Sequence, residues 1–302
     1  IPAMPPTTPP ALIPLPALDD PEGPRVPAGL PPVIDAHVHL FPDPVWAAIR
    51  SWFDAHAWPV RYRMDNAGIV DFLLGRGVDH LIALHYAHRP GIARAMNREL
   101  AEFCAARPRV TGLATVYPGE PDAPAILAEG FALGLVGVKL HLHVIGLGPD
   151  DPAMAPIYRT CSDHGRPLVM HAGREPRSPA YPRDPHDLCS ADRIATVLRD
   201  YPDLKLCIPH LGADEFDAHL DLLHRHDNLW LDTTMMLADY FPFDTRWDLV
   251  EARPERVMYG TDFPNIPYAW DRELVRLVER ITDDGVRAQV LGGTARGLFR
   301  MG

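Results

Sequence analysis

The chain has 302 residues, of which 40 are acidic and 29 are basic, giving a formal net charge of −11. Such an acidic chain lacks the cationic surface that binds phosphates, so nucleic acid and anionic membrane surfaces are not expected partners. Apolar residues make up 47% and charged residues 23%, which is typical of a globular protein and excludes an intrinsically disordered one. No apolar run approaches the ~20 residues that span a bilayer, so we expect a soluble protein.

The four cysteines are scattered along the chain and show no C-x-x-C spacing. This pattern predicts reduced thiols, although an even number leaves disulfide pairing formally open. The first residues contain no basic segment followed by an apolar stretch and a small-residue cleavage site, so no signal peptide is predicted. We therefore expect a cytoplasmic protein.

Proline is unusually frequent near the N-terminus, where 12 of the 34 prolines fall within residues 1–32. Proline fixes φ and removes a backbone donor, so this segment cannot form a helix or a central strand. The composition predicts an extended Pro-rich arm over 1–32, wrapped over the body or loose, with a Pro-rich recognition ligand as the alternative. The remaining residues, 33–302, form the predicted folded domain.

From residue 33 onward, short β-branched apolar runs alternate with helical patterns. Strands are predicted over 33–39, 78–85, 110–116, 135–141, 167–171, 204–210, 228–232 and 256–262. Helices are predicted over 91–106, 123–133, 153–164, 191–200, 215–225 and 270–281. Eight such units in this length predict a (β/α)₈ TIM barrel. A doubly wound open sheet is the alternative, but it usually has a glycine-rich turn after the first strand, and here that strand ends in histidines.

The first predicted strand carries polar side chains at every second position: Asp35, His37 and His39. Side chains alternate between the two faces of a strand, so all three are predicted to point into the barrel. Two imidazoles separated by one residue on a strand are able to bind one metal ion, but the pattern alone is weak in a chain with 15 histidines.

Other predicted strands also end in polar residues, at the C-terminal mouth where barrel enzymes place their catalytic groups. The fourth strand carries Lys139 and His141, the fifth ends in His171, the sixth in His210 and the eighth in Asp262. Several converging ionisable groups are costly unless a cation or substrate uses them. Together they predict a metal site, whereas each residue alone is better explained as a hydrogen-bonded structural group.

This order of residues resembles the amidohydrolase superfamily. The segments VIDAHVH (33–39), PHLG (209–212), YGTDFP (259–264) and VLGGTAR (290–296) are most similar to the amidohydrolase-related branch. That branch includes aminocarboxymuconate-semialdehyde decarboxylase, resorcylate decarboxylases and pyrone-dicarboxylate lactonase. The resemblance covers residues 33–302 and implies the fold and metal use, but not the substrate.

The resemblance also implies a set of metal ligands. In that branch a single metal ion, usually zinc, is held by the residues that match His37, His39, His171 and Asp262, and the match to His210 is a catalytic histidine. In binuclear relatives the match to Lys139 is carboxylated and bridges two metals, and His210 would bind the second. Nitrogen and oxygen ligands suit Zn²⁺ but also admit Mn²⁺, Fe²⁺ or Co²⁺. We favour one zinc ion, with an unmodified Lys139 that binds an anionic group of the substrate.

A mechanism follows from these assignments. Zinc lowers the pKa of a bound water to about 7. Asp262 would act as general base and then acid, and His210 would bind the developing oxyanion. Lys139 and His141 are predicted to contact the substrate, and Arg174, three residues past His171, would pair with a substrate carboxylate or lie on the surface. Residues 231–241 are predicted either to form a wall of the substrate site or to be an ordinary packed loop.

The reaction class stays open at this level. We favour hydrolysis of a C–O or C–N bond at a carbonyl, in a lactone, ester or amide of a small carboxylic acid. Metal-dependent decarboxylation of a small aromatic or dienoic acid is the alternative, because the same aspartate serves either reaction. A non-catalytic metal-binding protein is a remote third. The expected partner is a small-molecule substrate, and we expect a homodimer because symmetric dimers are the commonest assembly.

Overall fold

A computed structural model describes residues 14–301, in which eight parallel strands alternate with helices. The strands are β1 (Ile34–His39), β2 (His80–Leu84), β3 (Val110–Gly112), β4 (Val138–His141), β5 (Leu168–His171), β6 (Leu206–Ile208), β7 (Leu229–Asp232) and β8 (Val257–Met258). The helices are α1 (Asp43–His56), α2 (Asn66–Gly75), α3 (Ala93–Ala105), α4 (Ala123–Ala132), α5 (Leu142–Ile145), α6 (Ala155–Asp163), α7 (Pro185–Leu188), α8 (Ala191–Asp200), α9 (Phe216–Arg225), α10 (Trp247–Ala252), α11 (Arg272–Arg280), α12 (Asp284–Ala288) and α13 (Thr294–Leu298).

The strands close into a barrel. Parallel ladders join neighbouring strands in the order β1-β2-β3 and in the order β4-β5-β6-β7-β8. Backbone hydrogen bonds connect these two sheets between β3 and β4 and between β8 and β1. Between β3 and β4, the Ala114 N–H donates to Gly137 O at 2.8 Å and the Lys139 N–H to Ala114 O at 2.8 Å. Between β8 and β1, the Asp262 N–H donates to His37 O at 3.0 Å. The predicted (β/α)₈ barrel is therefore confirmed.

The first βα connection is larger than the sequence pattern predicted, because it contains two helices, α1 and α2, between β1 and β2. Asn66 fixes their arrangement: its Oδ1 accepts from the Trp46 indole N–H at 2.8 Å and from the Phe41 N–H at 3.2 Å. Trp46 is buried, so α1 is anchored by its apolar face. As a result, α1 lies beside the C-terminal mouth of the barrel and contributes to the cavity described below.

Residues 14–32, the described part of the predicted arm, contain no helix or strand and lie against the barrel. The Leu15 N–H donates to Tyr240 O at 2.6 Å, and the Gly23 N–H donates to Asp271 Oδ2 at 2.8 Å. Residues 1–13 of the arm lie outside the described residues, so the arm as a separate unit stays a prediction. Within 14–301, no helix is long and apolar enough to cross a membrane.

Glu273 at the start of α11 is a buried acid that holds the loop after β7. It accepts hydrogen bonds from the Met235 N–H at 2.9 Å, the Leu237 N–H at 3.1 Å and the Tyr268 hydroxyl at 3.2 Å. Burial raises the pKa of Glu273 well above its usual value, although these hydrogen bonds act in the opposite direction. The folded state therefore retains a proton that the unfolded chain releases above pH ~4.3.

Because of this proton, we expect the contribution of Glu273 to the free energy of unfolding to fall as the pH rises from ~4.3 through the raised pKa of Glu273. Glu273→Gln keeps a hydrogen-bond acceptor but cannot ionise. We therefore expect the free energy of unfolding of this variant to depend less on pH, with a slope smaller by at most about 1.4 kcal/mol per pH unit. Urea unfolding between pH 5 and 8 measures the difference, with the exposed Glu279→Gln as the matched control. Parallel profiles for wild type and Glu273→Gln would contradict the assignment.

Candidate active site and metal centre

The predicted site residues converge at the C-terminal mouth of the barrel. His39 and His171 are the last residues of β1 and β5, while His210 and Asp262 follow β6 and β8. His210 and Asp262 have φ values of +58° and +67°. Left-handed backbone in residues other than glycine costs about 1 kcal/mol or more and is concentrated at functional sites. The fold therefore maintains an unfavourable backbone conformation in order to aim these two side chains.

The ring of His37 is hydrogen-bonded to the carboxylate of Asp232, the last residue of β7. Its Nδ1 lies 2.8 Å from Asp232 Oδ2, and both side chains are buried. Burial, and then the charge of Lys139, lower the pKa of His37 to about 3, so its ring is neutral. Burial alone would raise the pKa of Asp232, but His37 lowers it below its usual value. His37 thus donates through Nδ1, which leaves a lone pair on Nε2, the ring nitrogen that Lys139 Nζ approaches to 3.3 Å.

Asp262 completes a three-residue group with the two histidines of β1. Its Oδ1 lies 2.9 Å from His39 Nε2 and 3.4 Å from His37 Nε2. Burial is the largest single influence on Asp262 and raises its pKa, but the hydrogen bond and charge of His39, together with His37 and His210, lower the pKa to about 2. Asp262 is therefore a carboxylate at neutral pH. One possible ligand atom from each of the three side chains lies within 4.8 Å of the other two.

This group fits a divalent cation. The lone pair of His37 Nε2 and the carboxylate oxygen of Asp262 are both electron-rich, yet they face each other in a buried site. In addition, His39 Nδ1 is buried and has no hydrogen-bond partner among the described residues. Two imidazoles and one carboxylate are ligands that zinc, manganese and iron all accept. His37, His39 and Asp262 are the residues that would hold the ion.

His171, the predicted fourth ligand, lies at the same mouth but in a different group. Its ring centroid is 4.2 Å from that of His141, 4.4 Å from that of His143 and 4.6 Å from that of His210. Its Nε2 donates to Glu175 O at 3.2 Å. The structure therefore brings His171 to the site, and its role as a metal ligand stays a prediction.

The three residues predicted to contact the substrate occupy three different positions. His141 lines the cavity. Lys139 is fully buried beneath it, with Nζ 3.3 Å from His37 Nε2, and burial lowers the pKa of Lys139 to about 8. Arg174 does not line the cavity, because its Nε pairs with Asp214 at 2.7 Å and Glu215 at 3.3 Å. Any substrate role of Arg174 requires that these ion pairs be exchanged.

His210 presents an acceptor to the cavity. Its Nδ1 donates to Thr234 O at 3.0 Å, and its backbone N–H donates to Asp232 Oδ1 at 3.1 Å. Burial lowers the pKa of His210, which favours the neutral ring. With the proton on Nδ1, Nε2 carries a lone pair. Neutral His210 is thus able to accept a hydrogen from a hydroxyl group or from water.

Above these residues lies a cavity of about 290 Å³ with largely apolar and aromatic walls. Among the residues that line it are Trp52, Phe53, Trp58, Tyr86 and Tyr181. No lysine or arginine within the described part of the chain lines this cavity. Its walls therefore favour a small, flat, largely apolar molecule. Met235 also lines it, so part of the 231–241 segment forms a wall, as one of the two sequence-based interpretations proposed.

Two acidic residues have supporting roles that the sequence did not predict, although Asp35 was expected to point into the barrel. Asp232 positions both His37 and His210, as described above. Asp35 accepts from the Thr261 hydroxyl at 2.6 Å and from its N–H at 3.1 Å, and so fixes the turn that presents Asp262. Asp232 ends its strand just as His171 does, so the rule applied to the other strands would also have identified it.

Removing the Asp232 carboxylate is expected to weaken metal binding. Asp232→Asn cannot accept in the same way from both His37 and His210, and loss of such a partner usually reduces metal affinity about 10- to 100-fold. Titration with a competing chelator measures the affinity, and the exposed Asp227→Asn is the matched control. An unchanged affinity would show that Asp232 does not set the orientation of His37.

The chain is a TIM-barrel protein, and the histidine and aspartate side chains at the mouth of its barrel are of the types that bind metal ions. A family model described as Amidohydrolase matches residues 34–301, so the chain belongs to this amidohydrolase family. The chain is thus an enzyme of a metal-dependent family whose members act on small molecules. The resemblance noted from the sequence is confirmed.

The proteins similar to this chain include named decarboxylases and one named as a probable hydrolase. A 6-methylsalicylic acid decarboxylase from Penicillium expansum is 26% identical, with 88% of this chain and 95% of that protein aligned. A 5-carboxyvanillate decarboxylase structure from Novosphingobium aromaticivorans, complexed with manganese and 4-hydroxy-3-methoxy-5-nitrobenzoic acid, has a TM-score of 0.67 at 17% identity, covering 94% and 99% of the two chains. A probable 2-pyrone-4,6-dicarboxylic acid hydrolase from Acinetobacter baumannii with bound citric acid has a TM-score of 0.61 at 15% identity, covering 89% and 100%.

Proposed function

We propose that this enzyme is a metal-dependent, non-oxidative decarboxylase of a small aromatic acid that carries a hydroxyl group beside its carboxylate. The observation that carries the proposal is the cavity, whose aromatic walls suit a flat ring and include no arginine or lysine among the described residues. A substrate with two or more carboxylates would leave charges unpaired there. Compounds of the 6-methylsalicylic acid class fit, and the 26% identical relative is named for that substrate.

The chain's own residues supply the proton chemistry. His210 Nε2 accepts the hydrogen of the ring hydroxyl, which places the ring between His210 and Asp262. Asp262 takes a proton from solvent and delivers it to the ring carbon that bears the carboxylate. The carbon–carbon bond then breaks, its electron pair stays with the ring, and carbon dioxide leaves. A bound divalent cation supplies Lewis-acid stabilisation of oxygen-centred negative charge during this sequence.

We propose one divalent cation per chain, held by His37, His39 and Asp262, with His171 as the fourth predicted ligand. Zinc is the ion favoured by two imidazoles with a carboxylate. Manganese is the alternative, because such a ligand set also accepts it and the similar 5-carboxyvanillate decarboxylase structure contains it.

Hydrolysis of a lactone, ester or amide is the second candidate, and one feature of the site favours it. Neutral His210 accepts a hydrogen from water as readily as from a phenol, and Asp262 lines the same cavity. A water molecule between these two groups would have both a proton acceptor and a neighbouring carboxylate. The apolar walls would accept an aromatic ester as well as an aromatic acid, so they do not distinguish the substrates of the two reactions.

Isotope labelling separates the two reactions. The metal-loaded enzyme is incubated with 6-methylsalicylate in D₂O, and we expect carbon dioxide release with one deuterium on the product carbon. The same enzyme is given aryl lactones and esters in H₂¹⁸O as a parallel panel. Label that appears in a carboxylate product, without carbon dioxide release from any aromatic acid, would replace decarboxylation with hydrolysis.

A further inference from the structure

Two tyrosines line the cavity, and the hydroxyl of neither has a hydrogen-bond partner within the described residues. Tyr86 follows β2, and Tyr181 lies on the loop between β5 and α7. No hydrogen bond joins either hydroxyl to another residue in the described range 14–301, and neither oxygen is fully enclosed by protein. Both oxygens are therefore partly exposed, and both residues line the cavity. Burial raises the pKa of both phenols above their usual values, so they remain neutral donors.

Ring contacts hold both tyrosines in place. The Tyr86 ring lies 4.8 Å from that of His141 and 4.9 Å from that of Phe41, measured between centroids. The Tyr181 ring lies 5.1 Å from that of His143 and stacks on Trp52 at 5.2 Å. The rings of His141 and His143 are 5.5 Å apart, and Tyr181 also lies 6.4 Å from His141, so both phenols pack against this histidine pair.

A substrate acid brings a carboxylate that needs donors inside this cavity, since a desolvated and unpaired charge is costly. Arg174, the guanidinium predicted for this task, is engaged by Asp214 and Glu215 outside the cavity. Lys139 lies beneath the wall against His37. We propose that the hydroxyls of Tyr86 and Tyr181 bind the carboxylate that is lost as carbon dioxide, an inference that rests on the proposed decarboxylase function.

Neutral donors suit this reaction better than an arginine would. The carboxylate is charged in the bound substrate, but carbon dioxide is neutral, so its negative charge moves into the ring as the bond breaks. A guanidinium would bind the charged ground state more strongly than the transition state and so slow the reaction. Two phenols fix the position of the carboxylate while stabilising its charge less.

The test measures ligand binding rather than turnover. Two probes are used with the metal-loaded enzyme: 2-methylbenzoate, which has the carboxylate but no ring hydroxyl to assist its loss, and 3-methylphenol, which has no carboxylate. Calorimetry gives Kd for the wild type, Tyr86→Phe, Tyr181→Phe and the control Tyr201→Phe, whose ring packs on Tyr158 away from the cavity. Metal content and thermal unfolding confirm that each variant is intact.

We expect Kd for 2-methylbenzoate to rise about tenfold in Tyr86→Phe and in Tyr181→Phe, while Kd for 3-methylphenol stays within about twofold. Tyr201→Phe should bind both probes as the wild type does. Equal weakening of both probes, unchanged binding of 2-methylbenzoate in the variants, or no binding of it by the wild type would each overturn the proposal. If the variants lose carboxylate affinity but the wild type releases no carbon dioxide from 6-methylsalicylate, the binding site stands and the decarboxylase function falls.

Discussion

Asp262→Asn is expected to lower kcat by at least ~10², because a positioned acid or base contributes 10²- to 10⁴-fold. Asparagine keeps the shape of the side chain and an oxygen for His39, but it cannot carry a proton to the ring carbon. The effect should fall on kcat with aromatic acids, while binding of a ring without a carboxylate, such as 3-methylphenol, changes little.

The measurement requires metal content and turnover on the same samples, because Asp262 is also a predicted ligand. Excess metal is added if the variant binds it more weakly, so that kcat is compared at full occupancy. The matched control is Asp217→Asn, whose exposed carboxylate pairs with Arg246 at 2.7 Å. Turnover close to that of the wild type with the metal bound would exclude Asp262 as the proton carrier under either reaction.

Removal of the histidine pair of β1 is expected to abolish both metal binding and activity. His37→Ala with His39→Ala deletes two of the three side chains whose ligand atoms lie within 4.8 Å of one another. We expect that the remaining Asp262, even with His171 as a second ligand, does not hold a transition metal in competition with water and buffer. A chelator applied to the wild type should have the same effect, and added zinc or manganese should restore the wild type only.

Elemental analysis of the purified protein provides the measurement, and the double variant His56→Ala with His224→Ala, which alters two exposed histidines, is the control. About one equivalent of metal in the wild type agrees with a single ion. Two equivalents would add Lys139 and His210 to the ligands and require a modified lysine. Full activity of the wild type without metal would remove the basis of the proposed chemistry.

The sequence by itself determined the barrel and the residues at its mouth. Buried parallel strands are continuous β-branched runs, so β5 was predicted within one residue of its observed start, and α8 was predicted over its observed range. Because every strand of such a barrel runs in the same direction, polar residues at the strand ends had to meet at one face. This local information was enough to bring His37, His39, His210 and Asp262 together.

Only the tertiary structure decided what each side chain does there. Arg174 is paired by Asp214 and Glu215, and His37 is oriented by Asp232, partners that lie about 40 and nearly 200 residues away in the chain. No local pattern encodes such contacts, because they depend on how the loops pack after the barrel has closed. The same holds for the contacts of Tyr86 with His141 and of Tyr181 with His143, although Tyr86 directly follows the predicted strand over 78–85. The aromatic wall, on which the proposed preference for an aromatic acid rests, exists only where α1 and the loop after β5 meet above the strands.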